Sequence, residues 1–283
     1  MTDKPRLYRT EAIVLKRSDL GEADRLLTLY TPDMGKLRVV AKGVRKPTSR
    51  KSGHVELFSL TDLLIARGRN LDIVTQAEVI EPHRILREDL LRASYAHYVS
   101  ELVDRFTGEE EENFPLYRLL SSTLDWVCTS GDLSLTVRYF ELHLLELVGY
   151  RPQLQICVRC SKEIGSSAVL FSAEMGGVIC ARCGESGQKM QTLSPEGLQV
   201  MRYLQDNDYR VAIRLRPSRG IRRELEGVLQ AYIVYLLERR LQSVDFLNQM
   251  RRELTDSRLT DDPKVGTVQD DFGVSSPDEG VGP

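Results

Sequence analysis

Four cysteines place the strongest constraint on what this sequence can fold into. They are Cys157, Cys160, Cys180 and Cys183, and they follow the spacing C-x2-C-x19-C-x2-C. Each C-x2-C turn presents two thiolates from one short loop, and four thiolates form the closed tetrahedral ligand set of structural Zn²⁺. We therefore predict a zinc module at about residues 155–186, without an open position for catalysis. A redox pair, an iron site and four reduced thiols are the alternatives.

The segment between the two cysteine pairs supports this interpretation. Its sequence, AVLFSAEMGGVI at residues 168–179, predicts two short strands joined by a turn at Gly176 and Gly177. A hairpin between two C-x2-C turns is typical of a zinc ribbon or a related treble-cleft module. The fifth cysteine, Cys128, lies in an apolar helical pattern, and we expect it to be a small core residue.

Five short apolar runs in the first eighty residues predict a small β-barrel. Turn residues separate the runs, which cover 12–17, 25–30, 36–42, 55–66 and 71–80. Five short strands with no helix-length pattern between most of them fit an OB-fold best. An SH3-like barrel is the alternative.

Beyond Pro82 the apolar residues recur with the period of a helix. The pattern predicts helices at about 91–106, 115–128, 132–149, 195–205 and 218–248. The third of these is apolar on more than one face, so we expect it at the centre of a bundle. The fold class is therefore α+β, with an N-terminal OB-fold β-barrel followed by an α-helical domain that contains the zinc module.

This pattern divides the chain into three parts. We expect the barrel in residues 1–82 and the helical domain in residues 83–252. Residues 253–283 hold 2 Lys or Arg and 8 Asp or Glu, with few apolar side chains. A segment of that composition cannot bury enough surface to offset its chain entropy, so we predict a disordered acidic tail.

The formal net charge of −2 conceals a basic N-terminal part. Residues 1–82 hold 15 Lys and Arg against 11 Asp and Glu, and the segment AKGVRKPTSRKSG at 41–53 concentrates five of the basic residues. A basic patch on an otherwise acidic chain indicates an anionic partner, and a positive groove on a small barrel suits a phosphate backbone. The candidate DNA-binding residues are Arg17, Lys36, Arg38, Lys42, Arg45, Lys46, Arg50 and Lys51.

A solvated mobile loop is the alternative interpretation of the basic segment. Aromatic residues that could stack on bases are few in the barrel: Tyr8, Tyr30 and Phe58, of which the last two are also candidates for the core. We therefore expect contact with the phosphate backbone and binding that is neutral to sequence.

Motifs of an enzyme are missing from the sequence. It has no G-x-x-x-x-G-K-[ST] loop, its four histidines are scattered, and the glutamate run at 109–112 is interpreted as a solvated linker without an identifiable partner. We expect a protein that is not an enzyme and has no small-molecule substrate. The N-terminus has no apolar leader and no apolar run could span a bilayer, so we also expect a cytoplasmic, nucleoid-associated protein without a membrane partner.

Several N-terminal motifs resemble those of the RecO family of bacterial recombination mediators. They are Gly-Glu-x-Asp at 21–24, Thr-x-x-x-Gly-Lys at 31–36 and Ala-Lys-Gly-Val-Arg at 41–45. The barrel, the helices, the four cysteines and the closing helix follow in the order of that family, over about residues 6–250. The resemblance implies an OB-fold, an α-helical domain and an embedded zinc module. Since not all members keep the cysteines, zinc is predicted here from the spacing itself.

The resemblance also implies a function. Members bind single- and double-stranded DNA, anneal complementary strands and work with RecR to help load RecA on DNA coated by the single-strand-binding protein SSB. They also engage the C-terminal tail of SSB. The basic segment 216–227 is a candidate for this contact, and a solvated helix start is the alternative interpretation of that segment. A protein-interaction adaptor whose basic barrel binds acidic peptide tails is the alternative, and an RNA-binding module is a third hypothesis.

Overall fold

The computed structural model describes residues 6–165, 167–184 and 190–238. The predicted acidic tail at 253–283, and the last part of the helix predicted at 218–248, lie outside the described residues. The elements given below belong to one compact unit, Met1–Leu247.

Five strands form a closed barrel at the N-terminal end. They are β1 (Leu7–Leu20), β2 (Asp24–Thr31), β3 (Gly35–Ala41), β4 (Leu60–Ala66) and β5 (Asp72–Glu81). The strand order is β1-β2-β3-β5-β4, with β1 also paired to β4, and the β3–β5 pair is parallel while the others are antiparallel. This is the topology of an OB-fold, and the prediction of that fold is confirmed.

The middle of β1 is buried on both faces. Ala12 and Val14 lie inside the barrel, whereas Ile13 and Leu15 belong to the core that the barrel shares with the helices. The pairing of β1 with β2 shifts register between Val14 and Lys16, which is a β-bulge that bends the strand. Four consecutive buried side chains explain why this apolar run does not alternate, as it would in a strand with one face in water.

The fourth predicted strand begins later than the sequence suggests. The prediction of a strand over 55–66 is wrong in its first part, because β4 begins at Leu60. Phe58 has a left-handed backbone with φ of 66°, and its N–H donates to the carbonyl oxygen of Val14 at 2.9 Å. A residue in that region of φ cannot continue an extended strand.

Helices make up most of the chain beyond the barrel. The helices of the described residues are α1 (Ile85–Glu88), α2 (Leu90–Phe106), α3 (Phe114–Thr129), α4 (Leu133–Leu147), α5 (Pro195–Asp206), α6 (Tyr209–Ala212) and α7 (Arg219–Leu237). Asp132 caps α4 by accepting from the N–H of Leu135, and Ser194 caps α5 by accepting from the N–H of Gly197. Such caps satisfy N–H groups that have no partner within a helix, so the sequence locates these helix starts well.

Helix α4, which is the third helix predicted from the sequence, lies at the centre of the helical region as expected. It contacts α2, α3, α5, α6 and α7. Its side chains are buried without interruption from Leu135 to Leu142. No helix of the described residues has the length and apolar content needed to cross a membrane.

A small sheet follows α4 in the chain. Strands β6 (Val169–Ser172) and β7 (Gly177–Ile179) form the predicted antiparallel hairpin. A third strand, β8 (Gln191–Leu193), pairs with the other edge of β6 and leads directly into α5. The hairpin is therefore fixed against the helices through β8, which contacts α7.

Candidate nucleic-acid interface and metal centre

The four cysteines of the two C-x2-C turns come together beside the small sheet. Their Sγ atoms all lie within 4.8 Å of one another, and those of Cys160 and Cys180 are 3.9 Å apart. Cys157 is buried, whereas Cys160, Cys180 and Cys183 are half-buried. Four thiols at this separation, from two loops that the hairpin connects, can bind a metal ion.

The electrostatic surroundings favour a thiolate at Cys157. Burial opposes ionisation, but backbone N–H groups of Cys180, Cys160 and Arg159 point at the sulfur and lower its pKa to about 6. The Cys183 thiol donates to the sulfurs of Cys180 and Cys160, which stabilises its protonated form and raises its pKa to about 12. A donor set of four sulfurs, without carboxylate or imidazole, is soft and tetrahedral, and it fits Zn²⁺ in a structural role.

Cys128 lies on α3, away from this cluster. Its side chain packs against the helical core, and burial raises the pKa of its thiol to about 11. Cys128 is half-buried, and a thiol of raised pKa is a weak nucleophile, which agrees with its interpretation as a residue that packs in the core.

The basic loop, which we define as residues 42–59 between β3 and β4, carries three unpaired cations. The side chains of Lys42, Lys46 and Arg50 are exposed and make no hydrogen bond or ion pair with any described residue. Gly43, the second residue of the loop, has φ of 66°, and its N–H donates to the Asp24 carboxylate at 2.7 Å. The three charges are therefore held at one edge of the barrel with nothing to neutralise them in the part of the chain that is described.

Two further candidates, Arg17 and Lys36, have partners inside the protein. Arg17 on β1 pairs with Glu56 near the end of the basic loop. Lys36 on β3 donates from Nζ to the carbonyl oxygen of Asp104 at 2.6 Å and lies 3.2 Å from its carboxylate. Only 12% of the Lys36 side chain is exposed. These two charges are largely compensated and join the barrel to its own loop and to α2.

Arg45 and Lys51 are tied to the barrel in a similar way. Arg45 donates to the carbonyl oxygen of Gly21 at 3.2 Å and lies 3.3 Å from the Asp19 carboxylate. Lys51 donates from Nζ to the carbonyl oxygen of Val74 at 2.9 Å, and burial lowers its pKa. The two residues fix the basic loop against the β1–β2 turn and against β5.

The last candidate, Arg38, lines a cleft of about 290 Å³ on the outside of the barrel, together with Lys16 and Lys36. Strand register places Lys16 opposite Thr28, and Thr28 opposite Arg38, so the two cations lie in one row across β1, β2 and β3. Sequence reasoning missed Lys16. Lys16 could be identified from the register of β1, β2 and β3, but that register depends on the bulge in β1.

An acidic segment lies beside this cleft. Glu109 forms an isolated bridge with Lys36, and the N–H of Glu110 donates to the Lys36 carbonyl oxygen at 2.9 Å. The Glu109 carboxylate also lies 3.8 Å from the Arg38 guanidinium. The interpretation of 109–112 as a linker without a partner is therefore wrong, because Glu109 extends the edge of β3 and places a carboxylate next to the basic row.

Two of the three barrel aromatics are unavailable for base stacking. Tyr30 and Phe58 are fully buried. Tyr8 is half-buried, donates to the Asp72 carboxylate at 2.7 Å, and has the Arg67 guanidinium 4.9 Å from its ring centre. The barrel surface is thus better suited to contact phosphates than to stack on bases.

A closed OB-fold barrel with a basic loop, joined to helices that carry a four-thiol centre, is characteristic of proteins of nucleic-acid metabolism. The family model described as Recombination protein O N terminal matches residues 4–83, and the one described as Recombination protein O C terminal matches residues 87–245. The chain belongs to the RecO family of DNA repair and recombination proteins.

Curated relatives named DNA repair protein RecO match most of this chain. The relative from Roseiflexus sp. (strain RS-1) is 43% identical over 254 residues, which cover 90% of this chain and 89% of the relative. A relative from Dehalococcoides mccartyi is 38% identical over 249 residues, which cover 88% of this chain and 98% of the relative. One from Symbiobacterium thermophilum is 38% identical over 248 residues, which cover 87% of this chain and 98% of the relative. The resemblance seen in the N-terminal motifs is confirmed.

Proposed function

We propose that the protein is a DNA-binding recombination mediator that anneals complementary strands. The observation that carries this proposal is the unpaired charge of Lys42, Lys46 and Arg50 on the edge of an OB-fold barrel. A cation that neutralises a phosphate releases a condensed counterion, so these side chains would supply affinity without reading the sequence. Annealing needs this property, because the protein must screen two polyanions while leaving their bases free to pair.

The other candidate residues take two different roles in this proposal. Arg38 adds a phosphate contact from the cleft, with Lys16 beside it in the same row. The paired residues position this surface. Arg17 does so through Glu56, and Lys36 through Asp104. Arg45 is held by the β1–β2 turn, and Lys51 by β5. A loop that is fixed at several points loses little entropy when it binds DNA.

We also propose the finer assignments that family membership supports. The protein would act with RecR to help load RecA on single-stranded DNA coated by SSB, and it would contact the SSB tail. Residues 1–82 would form the DNA-binding domain, residues 83–252 the helical domain, and residues 253–283 an acidic tail. A structural Zn²⁺ held by the four cysteines would stabilise the hairpin and its junction with the helices.

The test is annealing of complementary oligonucleotides coated with SSB, with and without the protein, across a salt series. We expect acceleration that declines as salt rises, because the contacts are to phosphates. If annealing is not accelerated although the protein binds DNA, the mediator function is wrong.

The second candidate function is an adaptor whose basic loop binds an acidic peptide tail. The same unpaired cations favour it, since a cluster of carboxylates would also neutralise them. Competition separates the two functions: an acidic peptide should displace DNA from the barrel only if both use the basic loop. Retention of DNA at a saturating concentration of peptide would exclude the barrel as a peptide site.

A further inference from the structure

We propose that the helical region carries a second phosphate-binding surface, which holds the second DNA strand during annealing. We call it the arginine surface, and its residues are Arg210, Arg214, Arg216, Arg219 and Arg223. The proposal rests on the proposed function, because a second strand matters only if the protein anneals DNA. The proposed ligand of this surface is a nucleic-acid strand, which binds through its phosphates.

Ion pairs among the described residues leave most of the charge on this surface uncompensated. Residues 209–223 hold six Arg and no Asp or Glu. Five of the six side chains are exposed, and none of these five forms an ion pair with a described residue. The sixth, Arg222, is half-buried and pairs with Asp132, the N-cap of α4.

The neighbouring acidic groups are mostly engaged elsewhere. Asp206 at the end of α5 pairs with Arg151, and the Glu224 carboxylate accepts from the side-chain hydroxyl of Ser194 at 2.8 Å. Asp208 is exposed at the start of α6 and forms no ion pair with a described residue. The arginine surface therefore keeps a strongly positive balance.

Three of these arginines lie at the start of α7 or just before it. Arg219 and Arg223 are four residues apart on α7, so they project from the same side of the helix. Both lie in the first turns of α7, whose N-terminus adds a favourable field for an anion. Arg216 lies just before the helix, and its Nη1 donates to the carbonyl oxygens of Ile213 and Leu215, each at 2.9 Å.

The residue type favours phosphate over a generic anion. All the basic residues in 209–223 are Arg, whose planar guanidinium binds phosphate oxygens with two parallel hydrogen bonds. A row of such groups without interleaved carboxylates suits a partner with a regularly repeated charge, as in a DNA strand.

The arginine surface and the basic loop lie on different parts of the protein. Helices α6 and α7 pack on α4 and α5, whereas the barrel packs on α2 and α3. One strand on the basic loop and another on the arginine surface would therefore not compete for the same cations. One molecule of the protein could then hold two DNA strands at the same time, as annealing requires.

The experiment compares two double variants of the full chain, R219Q/R223Q and R84Q/R118Q. Arg84 and Arg118 are also exposed and unpaired among the described residues, so the control removes the same charge from another part of the surface. One oligo(dT) strand is immobilised, and capture of a second, labelled oligo(dT) strand is measured across a salt series. Two such strands cannot pair, so only the protein can connect them.

We expect R219Q/R223Q to lose at least about fivefold in capture of the second strand, while its binding to a single strand changes less than about twofold. The salt slope of second-strand capture should fall by about 1.4, which corresponds to two lost phosphate contacts. Annealing of complementary strands should slow in parallel, and R84Q/R118Q should behave like the unmodified protein.

Equal capture by the two variants would overturn the arginine surface while leaving the mediator function intact. A defect of R219Q/R223Q that is confined to binding of an oligo-glutamate peptide would overturn it in favour of an acidic-peptide site. Failure of the unmodified protein to accelerate annealing would instead reject the proposed function, so the two failures are distinguishable.

Discussion

The carbonyl oxygen of Glu111 occupies the position where a side chain on Gly35 would begin. A β-carbon on Gly35 would lie 1.9 Å from that oxygen, and the φ of Gly35 is 60°. The glycine at the start of β3 therefore lets the segment between α2 and α3 cross directly over the barrel. The same crossing brings Glu109 to the basic cleft and the end of α2 to Lys36.

Replacing Gly35 with Ala should lower the free energy of unfolding by at least about 3 kcal/mol, because a backbone clash adds to the strain of a left-handed residue. Gly21→Ala is the matched control, since Gly21 has φ of 59° but nothing within 4 Å of its β-carbon position. The control should lose only about 1 kcal/mol. Urea denaturation measures both, and equal losses would contradict the close crossing.

Removing the carboxylate of Glu109 should strengthen binding to DNA. The Glu109→Gln variant frees Arg38 from its ion pair and removes a negative charge beside the phosphates, so we expect about two- to threefold tighter binding of oligo(dT) at low salt. Glu112→Gln is the control, because Glu112 lies in the same segment, is exposed and has no ion pair among the described residues. Fluorescence anisotropy checks the difference, which should vanish at high salt.

The basic loop should account for much of the salt dependence of single-strand binding. The triple variant K42Q/K46Q/R50Q removes three unpaired cations and should reduce the salt slope by about 2. Its fold should be retained, because none of the three side chains contacts a described residue through a hydrogen bond or an ion pair. A salt slope equal to that of the unmodified protein would remove the loop from the interface.

Loss of the four-sulfur centre should remove the metal and destabilise the protein. We expect the purified protein to contain about one zinc per chain, and C157S/C160S to contain none. The variant should also unfold about 10 °C earlier, since the free energy of metal binding contributes to folding. Cys128→Ala is the control and should keep its zinc. Elemental analysis with calorimetry tests both points, and an unchanged midpoint without zinc would show that the site has no structural role.

The parts of the fold that sequence predicts well depend on local interactions. Asp132 and Ser194 reveal helix starts because a cap acts within three residues. The cysteine pairs reveal the metal centre because their spacing is local, and the hairpin between them follows from its turn. The closed barrel was also predictable, from the number of short apolar runs.

The candidate interface was only partly predictable, because pairing between distant residues decides which charges are free. Lys36 and Asp104 are 68 positions apart, and Arg17 and Glu56 are 39 apart. Nothing in the local pattern distinguishes these lysines and arginines from Lys42 or Lys46. The crossing of Glu109 over the barrel has the same origin, since it depends on how α2 packs against β1.

A buried charged group in the helical core provides the last prediction. Glu141 on α4 is fully buried, pairs with Arg138 at 2.8 Å, and accepts from the Tyr98 hydroxyl at 2.5 Å. Tyr98→Phe should cost about 1.5–3 kcal/mol, because it removes a hydrogen bond to a buried carboxylate. The Tyr30 hydroxyl is also buried but has no hydrogen-bond partner among the described residues, so Tyr30→Phe should be neutral or slightly stabilising. Urea denaturation of both variants measures the two free energies of unfolding. If Tyr30→Phe destabilises the protein as much as Tyr98→Phe, the hydrogen bond to Glu141 does not explain the effect.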